Sequence, residues 1–463
     1  MVIELSNVTF TDEDDIVPVS GEGEIVNTGI VNTLAGDDII TGTLNLEASP
    51  RDQNYAIYNV GSIYTNDGND IITGINDKVL DLGQDYGILT EGGTIDTGDG
   101  NDIITGIITN SRGFGFLAAS GSINTDNGSD TISGTSSFGT GLYLVGASVD
   151  TGRGDDIITG TGFYIGLNTY AFLNTDEGND IIAGNSSALG SGYGILNDGP
   201  IDTADGNDTI IGTSNDNIGI YNSSSIYTND GNDIITGIVT IGTPGNIKFG
   251  IFNRGGGGIN GIIDTGNGDD IITSGGVIYN EGIINTGNGE DSIISDGKFF
   301  NSAQEFLPDG AGGVFLGDGN DSLIITGTDV LNRSVENYNA IETGDGNDLI
   351  TSTGIIYNSG TINTGDGKDS IIADGGFSAM GSVLLGNGKD SLKGFGSGNF
   401  NGGNGKDTLE LTSGSYTVGI SSAGVNFAKY GIIMNTSEFE KLQAGDITYN
   451  FASLTNGQTI LVA

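Results

Sequence analysis

Cysteine and histidine are both absent from the 463-residue chain. Their absence excludes disulfides, thiolate and imidazole metal sites, and every catalytic arrangement that needs a Cys nucleophile or a Ser-His pair. Basic residues are scarce: 14 Lys and Arg stand against 60 Asp and Glu, for a formal charge of −46. Such a chain repels nucleic acid and anionic membrane surfaces, so we expect cations as partners and oxygen atoms as their ligands.

Long apolar runs are also missing. Residues 1–5 (MVIEL) lack the basic start and apolar core of a secretion signal, and no apolar stretch of about 18 residues occurs. We therefore expect no classical N-terminal signal and no membrane insertion. The chain has only 5 prolines but 84 glycines, which predicts many repeated tight turns in place of an ordinary globular fold.

A ten-residue unit, typified by residues 362–371 (INTGDGKDSI), occurs fifteen times. Every copy has a fixed Asp, a Gly two residues before it, and an Ile or Leu two residues after it. Another apolar residue stands nine positions before that aliphatic one in every copy. The fixed aspartates are Asp38, Asp70, Asp102, Asp130, Asp156, Asp180, Asp208, Asp233, Asp270, Asp291, Asp321, Asp348, Asp369, Asp390 and Asp407.

This pattern predicts two short β-strands that flank a six-residue loop, with Gly at the positions that need a positive φ. The spacing between consecutive fixed aspartates varies from 17 to 37 residues, so the loop is constant while the return path varies. Segments such as 219–222 (GIYN) and 355–360 (IIYNSG) predict a second strand and an acid-free second turn. We therefore predict an all-β fold, a right-handed parallel β-solenoid with one loop per coil and a cap at each end.

Three regions follow from where the repeat begins and ends. Residues 1–30 are predicted to form an N-terminal cap, because a stack of coils must close its open end against solvent. Residues 31–410 carry the repeats. Residues 411–463 lack the repeat and are predicted to form a β-rich C-terminal cap.

Stacking of the loops would place the fixed aspartates, at loop position 6, in a row. Position 3 adds further oxygen ligands. Adjacent charges about 5 Å apart repel by roughly 1–3 kcal/mol each, and the sum is comparable with the stability of a domain, about 5–15 kcal/mol. Calcium would turn this repulsion into ligation because it accepts six to eight oxygens at flexible angles, whereas magnesium demands a stricter geometry. The position-3 acids are Asp67, Asp99, Asp205, Asp230, Asp318, Asp345 and Asp366, and Asn occupies this position at 127, 267, 288, 387 and 404.

Residues 97–105 (TGDGNDIIT) and 402–410 (GGNGKDTLE) resemble the G-G-x-G-x-D-x-U-x nonapeptide of the RTX, or haemolysin-type, calcium-binding β-roll proteins, and the second segment matches every fixed position. The resemblance covers roughly residues 30–410. It implies that loop carbonyls and the position-6 aspartates of successive turns bind several calcium ions. It also implies export in one step through a channel, directed by an uncleaved signal that would lie in residues 411–463.

The chain departs from the RTX pattern at the start of the loop. Position 1 is Thr in twelve of fifteen copies, where the family has Gly. Nor do the nonapeptides follow one another in tandem, except that the last interval, 17 residues, approaches the two-motif coil of the family. Calcium would then occupy one edge only, and occupancy at the irregular loops of Asp38, Asp130 and Asp180 stays open. Position 2 is not Gly in Leu34, Asn66, Asp126, Asp176, Ala204 and Asn229.

Simpler interpretations stand beside these. Each fixed Asp could cap its own loop through local backbone amides, as in an Asx-turn, and the Asn-rich positions could form hydrogen-bonded ladders without metal. Lys368, Lys389 and Lys406 at position 5 could partly replace calcium or point to solvent, and we expect them to point to solvent. The position-1 threonines could form an ice-ordering array, and the aromatic residues of the return path could pack together or bind carbohydrate. Paired acids could serve a glycosidase, but acids repeated identically argue against an active site.

The sequence therefore favours a calcium-binding structural, surface-layer or adhesive protein that is secreted or held at the cell surface and is not an enzyme. Beyond calcium, the candidate partners are further copies of the chain or a cell-surface polysaccharide. A polysaccharide-binding or polysaccharide-modifying solenoid is the main alternative, and an ice-binding rod the second.

Overall fold

The computed structural model describes residues 2–18, 23–44, 54–78, 84–241, 247–254, 261–302 and 312–463. The chain divides into two compact units, Met1–Phe252 and Asn253–Ala463. The described residues are almost entirely β-structure. The helical segments among them are two 3-10 turns, Leu5–Asn7 and Phe451–Ser453.

Each coil of the first unit contributes a strand that follows the fixed Asp, and these strands form what we call the front sheet. The strands pair in parallel, and the six-residue strands pair with no shift of register. They span Ile16–Val17, Ile39–Leu44, Ile71–Asn76, Ile103–Ile108, Thr131–Ser136, Ile157–Gly162, Ile181–Ser186, Thr209–Ser214 and Ile234–Val239.

The return path and the approach to the next loop form the back sheet, whose strands are also parallel. Most coils contribute two short strands, and in two coils these merge into one long strand. The back-sheet strands span Val2–Glu4, Glu24–Asn27, Ile30–Asn32, Tyr55–Asn59, Ser62–Tyr64, Asp85–Asp96, Gly113–Asn124, Thr140–Leu144, Ala147–Asp150, Ile165–Thr169, Leu173–Asn174, Tyr193–Asn197, Ile201–Asp202, Ile218–Asn222, Ser225–Tyr227 and, at the boundary of the unit, Phe249–Asn253.

The second unit repeats this plan with shorter front strands. Its front sheet spans Ile271–Ser274, Ser292–Ser295, Ser322–Ile325, Leu349–Ser352, Ser370–Ala373, Ser391–Lys393 and Thr408–Leu411. Its back sheet spans Ile262–Asp264, Val277–Asn280, Ile283–Asn285, Phe299–Asn301, Gly313–Phe315, Arg333–Asn337, Ala340–Glu342, Ile355–Asn358, Thr361–Asn363, Phe377–Ser378, Ser382–Leu384 and Gly398–Asn401. The loops themselves pair through Asp345–Gly346, Asp366–Gly367, Asn387–Gly388 and Asn404–Gly405.

The last residues close the second unit with antiparallel strands. Two strands first extend the parallel stack: Ile432–Ser437 pairs with the back sheet and Lys441–Ala444 with the front sheet. The remaining pairings, which involve Gly414–Ser421, Gly424–Lys429, Ile447–Asn450 and Thr459–Val462, are antiparallel. These hairpins cover the edge that the final coil would otherwise present for further pairing.

The core lies between the front and back sheets. The aliphatic residue two positions after each fixed Asp is buried in all fifteen copies, and so is the apolar residue nine positions before it. Glycines let the two sheets approach closely: a Cβ added to Gly106 in the front sheet would lie 2.2 Å from the carbonyl oxygen of Gly115 in the back sheet. The predicted all-β parallel solenoid, with strands flanking a constant loop and a second strand in the return path, is confirmed.

Strands within residues 1–30, the predicted N-terminal cap, pair with the front and back sheets. Val2–Glu4 pairs with Glu24–Asn27, and Ile16–Val17 pairs with the next front strand. Met1 and residues 19–22 of this predicted cap lie outside the described residues.

Candidate functional site

The six-residue loops stack directly on one another, and Gly at position 4 makes this possible. Gly100 donates its N–H to the carbonyl oxygen of Asn127 in the next loop at 2.9 Å. A Cβ on Gly100 would lie 1.5 Å from the carbonyl oxygen of Gly68, and one on Gly346 only 1.3 Å from that of Gly319. No other residue fits without shifting the backbone. The position-4 carbonyl oxygens therefore form a column that points from loop to loop.

Position 2 keeps a left-handed backbone even where it is not glycine. Gly98 has φ +79°, and Asn66, in the same position of the preceding loop, has φ +65°. Asn and Asp tolerate this region better than Leu or Ala, which are strained there. All seven copies in the second unit have Gly at this position. The non-glycine residues that adopt it are Leu34, Asn66, Asp126, Asp176, Ala204 and Asn229.

The fixed aspartates form a hydrogen-bonded ladder. All fifteen side chains are buried, with 0–2% exposure. The Oδ1 atom of each accepts the backbone N–H of the corresponding residue in the preceding coil, at 2.7–2.9 Å within each unit. The local Asx-turn interpretation is therefore wrong about the donor, because the amide belongs to the neighbouring coil and not to the loop itself.

Two further acidic residues, one at each end, extend the ladder although they do not match the sequence pattern. Asp15 donates its N–H to Oδ1 of Asp38 at 2.8 Å, and Asp407 donates to Oε2 of Glu440 at 2.7 Å. Both extra residues stand where a fixed Asp would, but Glu13 and Glu438 replace the position-4 Gly. The aliphatic residue two positions later, Val17 or Leu442, was the remaining sequence signal.

The second carboxylate oxygen of the ladder is largely unpaired. Among the described residues, eleven Oδ2 atoms are buried without a hydrogen-bond partner, and these belong to Asp38, Asp70, Asp102, Asp130, Asp156, Asp180, Asp291, Asp321, Asp369, Asp390 and Asp407. In two other loops the position-1 Thr satisfies this atom: Thr203 donates to Asp208 and Thr343 to Asp348, both at 2.5 Å.

The position-1 threonines line the interior of the loop. All twelve are buried, so they do not form a solvent-facing array that could order ice. Several donate to the carbonyl oxygen of position 1 in the next loop, as Thr33 does to Thr65 at 3.1 Å. The replacement of the family's Gly by Thr therefore adds a hydroxyl beside the Asp carboxyl.

Burial raises the pKa of the ladder carboxyls. It raises the pKa of Asp102 to about 7 and that of Asp156 to about 8, against an ordinary value of 3.8, and the hydroxyls of Thr97 and Thr151 offset part of these rises. The same cause raises the pKa of six others to about 6 and of three to about 7. Those near 6 are Asp70, Asp130, Asp180, Asp233, Asp291 and Asp407, and those near 7 are Asp208, Asp321 and Asp369.

Positions 3 and 5 face the opposite way, into solvent. The position-3 acids Asp67, Asp99, Asp205, Asp230, Asp318, Asp345 and Asp366 are all exposed. They do not join the buried row of position-6 carboxylates, and their role as ligands stays a prediction. Within the described ranges no three acidic side chains converge in an arrangement that could hold a metal ion. A cation at the ladder would therefore take most of its oxygens from the backbone.

An exposed ladder of side chains runs along position 5, as the hydrogen-bonding interpretation predicted. Asn69 donates its backbone N–H to Asp37, and Asn101 donates to Asn69, at 2.8 and 2.9 Å. Lys368, Lys389 and Lys406 are exposed at this position, so the prediction that they point to solvent is confirmed.

A second ladder, of asparagines, stabilises the acid-free turn. In the second unit Asn280 donates to Asn301, and Asn301 to Asn337, at 3.0 and 2.8 Å, and all three side chains are fully buried. Each Nδ2 also donates to backbone carbonyls. The acid-free turn is thus held by neutral amides, and the unpaired carboxylate oxygens lie at the other turn.

The aromatic residues of the return path stack along the back sheet. Tyr279 and Phe300 have ring centroids 4.6 Å apart at an interplanar angle of 6°, and Phe114 stacks between Tyr86 and Tyr143. The faces of these rings cover one another. Packing along the coils accounts for these stacked rings, since a sugar would need an open ring face. Tyr164 is 40% exposed, and carbohydrate binding by such surface rings stays a prediction.

The residues at the ladder fit a calcium ion in two respects. Eleven buried Oδ2 atoms have no partner, and an oxygen ligand deprived of water needs a donor or a cation. The position-4 Gly carbonyl oxygens of the same loops lie close to these carboxyls: the point where a Cβ on Gly100 would stand is 1.5 Å from the carbonyl oxygen of Gly68 and 3.3 Å from Oδ1 of Asp102. Carboxylate and backbone carbonyl oxygens are calcium ligands.

No protein-family model matches the sequence, and no curated protein matches it. Among solved structures the chain is similar to a hyperactive, Ca2+-dependent, β-helical antifreeze protein from an Antarctic bacterium, at 17% identity and a TM-score of 0.37, over 97% of this chain and 93% of that one. The described residues include no helix long and apolar enough to cross a bilayer.

Proposed function

We propose that this protein is an extracellular calcium-dependent β-solenoid, similar to the RTX proteins, that serves as a structural, surface-layer or adhesive element. One observation carries the proposal: a column of buried carboxylate oxygens has no hydrogen-bond partner. The residues that would hold calcium are the position-6 aspartates, together with backbone carbonyls of the same loops.

The energetics of the ladder support a bound cation. Burial raises the pKa of eleven ladder carboxyls from 3.8 to about 6, 7 or 8, and a difference of one pKa unit corresponds to about 1.4 kcal/mol against the ionised form. Eleven such residues, ionised together, would exceed the whole stability of a domain, about 5–15 kcal/mol. The folded ladder therefore needs either protons or cations on its carboxylates.

Calcium is favoured over the other cations that an all-oxygen site accepts. Its coordination number of about six to eight and its tolerance of irregular angles suit a site made mostly of backbone oxygens. Magnesium requires a near-octahedral shell and gives up its waters reluctantly. Bound calcium would supply the positive charge that lets these carboxylates stay ionised while buried.

The dependence on calcium suggests how the chain acts. At the low calcium concentration of a cell interior, the acidic loops repel one another and the chain stays loose enough for export. Outside the cell, ligand binding to the folded state alone shifts the equilibrium towards folding. Residues 411–463 are our candidate for an export signal. This proposal follows from the resemblance of the loops.

Thermal unfolding of the full chain at neutral pH tests the proposal. We expect a large rise in melting temperature when calcium replaces a chelator, with magnesium giving a much smaller rise. The Asn ladder and the hydrophobic core are the same in both conditions, so they cannot produce the difference. An identical melting temperature in chelator and in calcium would rule out the calcium function.

A further inference from the structure

The outer face of the front sheet in the first unit is unusually regular. Eight strands of six residues lie side by side in parallel, from Ile39–Leu44 to Ile234–Val239, and seven successive pairings show no register shift. Alternate residues point inward and are buried. The first, third and fifth residues of each strand point outward, in three columns. We call these outward positions the front face.

The front face carries no charge on any of the 24 positions of these eight strands. Ten of the positions are Ile and eleven are Thr, and the other three are Ser133, Ala183 and Asn185. Charged residues make up 16% of the chain, whose net charge is −46. Acids stand elsewhere in the same coils, such as Asp99 in an adjoining loop and Glu91 on the back sheet. The charge is excluded from one face only.

The apolar residues of the front face are partly exposed to solvent. Ile103, Ile157 and Ile181 are 38–39% exposed, in strands at the middle of the sheet. A contiguous, β-branched, uncharged surface of this kind marks an interaction site in a soluble protein. The corresponding strands of the second unit are shorter, and their outward positions include Lys393 and Glu410. The uncharged face is therefore a property of the first unit.

We propose that the front face is a self-association site, on which a second copy of this chain docks face to face. The distribution of charge points to this partner. Two copies with a net charge of −46 each repel wherever acids meet, and the front face lets them touch without placing like charges in contact. The columns of Ile and Thr side chains can interdigitate as they do between the packed sheets of a sandwich.

The size of the face fits a stable dimer. Eight strands about 4.8 Å apart, each with six residues of about 3.3 Å, cover roughly 750 Å². Two such faces would bury about 1,500 Å², within the standard range for specific interfaces, about 1,200–2,000 Å².

Sedimentation velocity of the full chain in calcium, over about 1–100 µM, measures the association. We expect a dimer in this range, weakened at least about tenfold by Thr159→Lys at the centre of the face. Asn179→Lys, on an exposed loop position of the neighbouring coil, makes the same change of charge off the face and should leave the dimer unchanged. Lys393 occupies the position equivalent to residue 159 in the second unit, so the fold accepts lysine there.

Salt gives an independent measurement. Because the interface is uncharged and the rest of each copy is anionic, screening should strengthen the dimer as NaCl rises from about 0.05 to 0.5 M. Circular dichroism and melting temperature show whether each variant is folded. If Thr159→Lys does not fold, Ala183→Lys in the next strand replaces it in the same measurement. A monomer at about 100 µM, or equal weakening by the on-face and off-face variants, overturns the proposal. Thermal hysteresis of a monomer, abolished by Thr159→Lys, would show that the face binds ice.

Discussion

Replacement of Asp102 by Asn separates a calcium ligand from a purely structural residue. The Asp102 side chain is fully buried; its Oδ1 accepts the N–H of Asp70 at 2.8 Å, and its Oδ2 has no partner. Asn keeps the shape and the accepting oxygen. It places an amide in the position of Oδ2, beside the hydroxyl of Thr97. The change therefore removes a charge and leaves the ladder bond in place.

The size of the effect without calcium follows from the pKa. Burial raises the pKa of Asp102 from 3.8 to about 7, so at pH 8 the ionised side chain opposes folding by up to about 4 kcal/mol. Asn has no such penalty. At about 2–4 °C per kcal/mol for a unit of this size, Asp102→Asn should raise the melting temperature in chelator by about 10 °C. In calcium the variant loses a ligand, and its melting temperature should fall below that of the wild type.

Differential scanning calorimetry at pH 8, with chelator and with calcium, checks this reversal. Asp12→Asn is the control, because Asp12 is exposed and its replacement makes the same change of charge. It should have a small effect in both conditions. If Asp102→Asn lowers the melting temperature equally with and without calcium, the carboxylate has only a structural role and our reasoning is wrong.

Two further predictions concern pH and the end of the ladder. The folded-state pKa of Asp70, Asp102 and Asp156 lies at about 6, 7 and 8, above the ordinary 3.8, so the folded state binds more protons than the unfolded state between these values. In chelator, stability should therefore fall as pH rises from about 4 to 8; melting temperatures measured across that range should decline, and a flat profile would contradict burial of titrating carboxyls. Glu440→Ala should destabilise the second unit by about 1–3 kcal/mol in urea unfolding, because it leaves the buried N–H of Asp407 without its acceptor. Glu440→Gln retains an accepting oxygen and should cost much less, whereas equal losses would show that the hydrogen bond is not the cause.

The sequence was sufficient to predict the coil. The fixed Asp, the Gly before it and the two apolar residues nine positions apart specify strand, loop and strand, and all these positions are where the pattern placed them. The repeated pattern predicts the structure because coils that stack in register must all satisfy the same geometric conditions. The acid-free second turn was also predictable from its Asn.

The sequence could not show which acids face inward. Asp99 and Asp102 belong to the same loop and have the same chemistry, yet one is exposed and the other is fully buried. Their difference depends on the direction of the loop backbone, which neighbouring loops impose. Asp15 and Glu440 were missed because Glu13 and Glu438 stand in place of the position-4 Gly. The Cβ of a position-4 residue faces the preceding loop, and the first rung has no preceding loop, which explains why Glu13 is tolerated there.

The direction of the aspartate ladder has a consequence for how such a chain grows. Every bond runs from the backbone of one coil to the carboxylate of a coil that comes later in the sequence. Any stack of coils therefore presents an open backbone donor at its last coil and an open carboxylate acceptor at its first, so the two ends of the ladder are chemically different. Glu440 ends the series within an antiparallel closure. Because the same bond joins each successive pair of coils, duplication or loss of a whole coil would leave the form of the ladder unchanged.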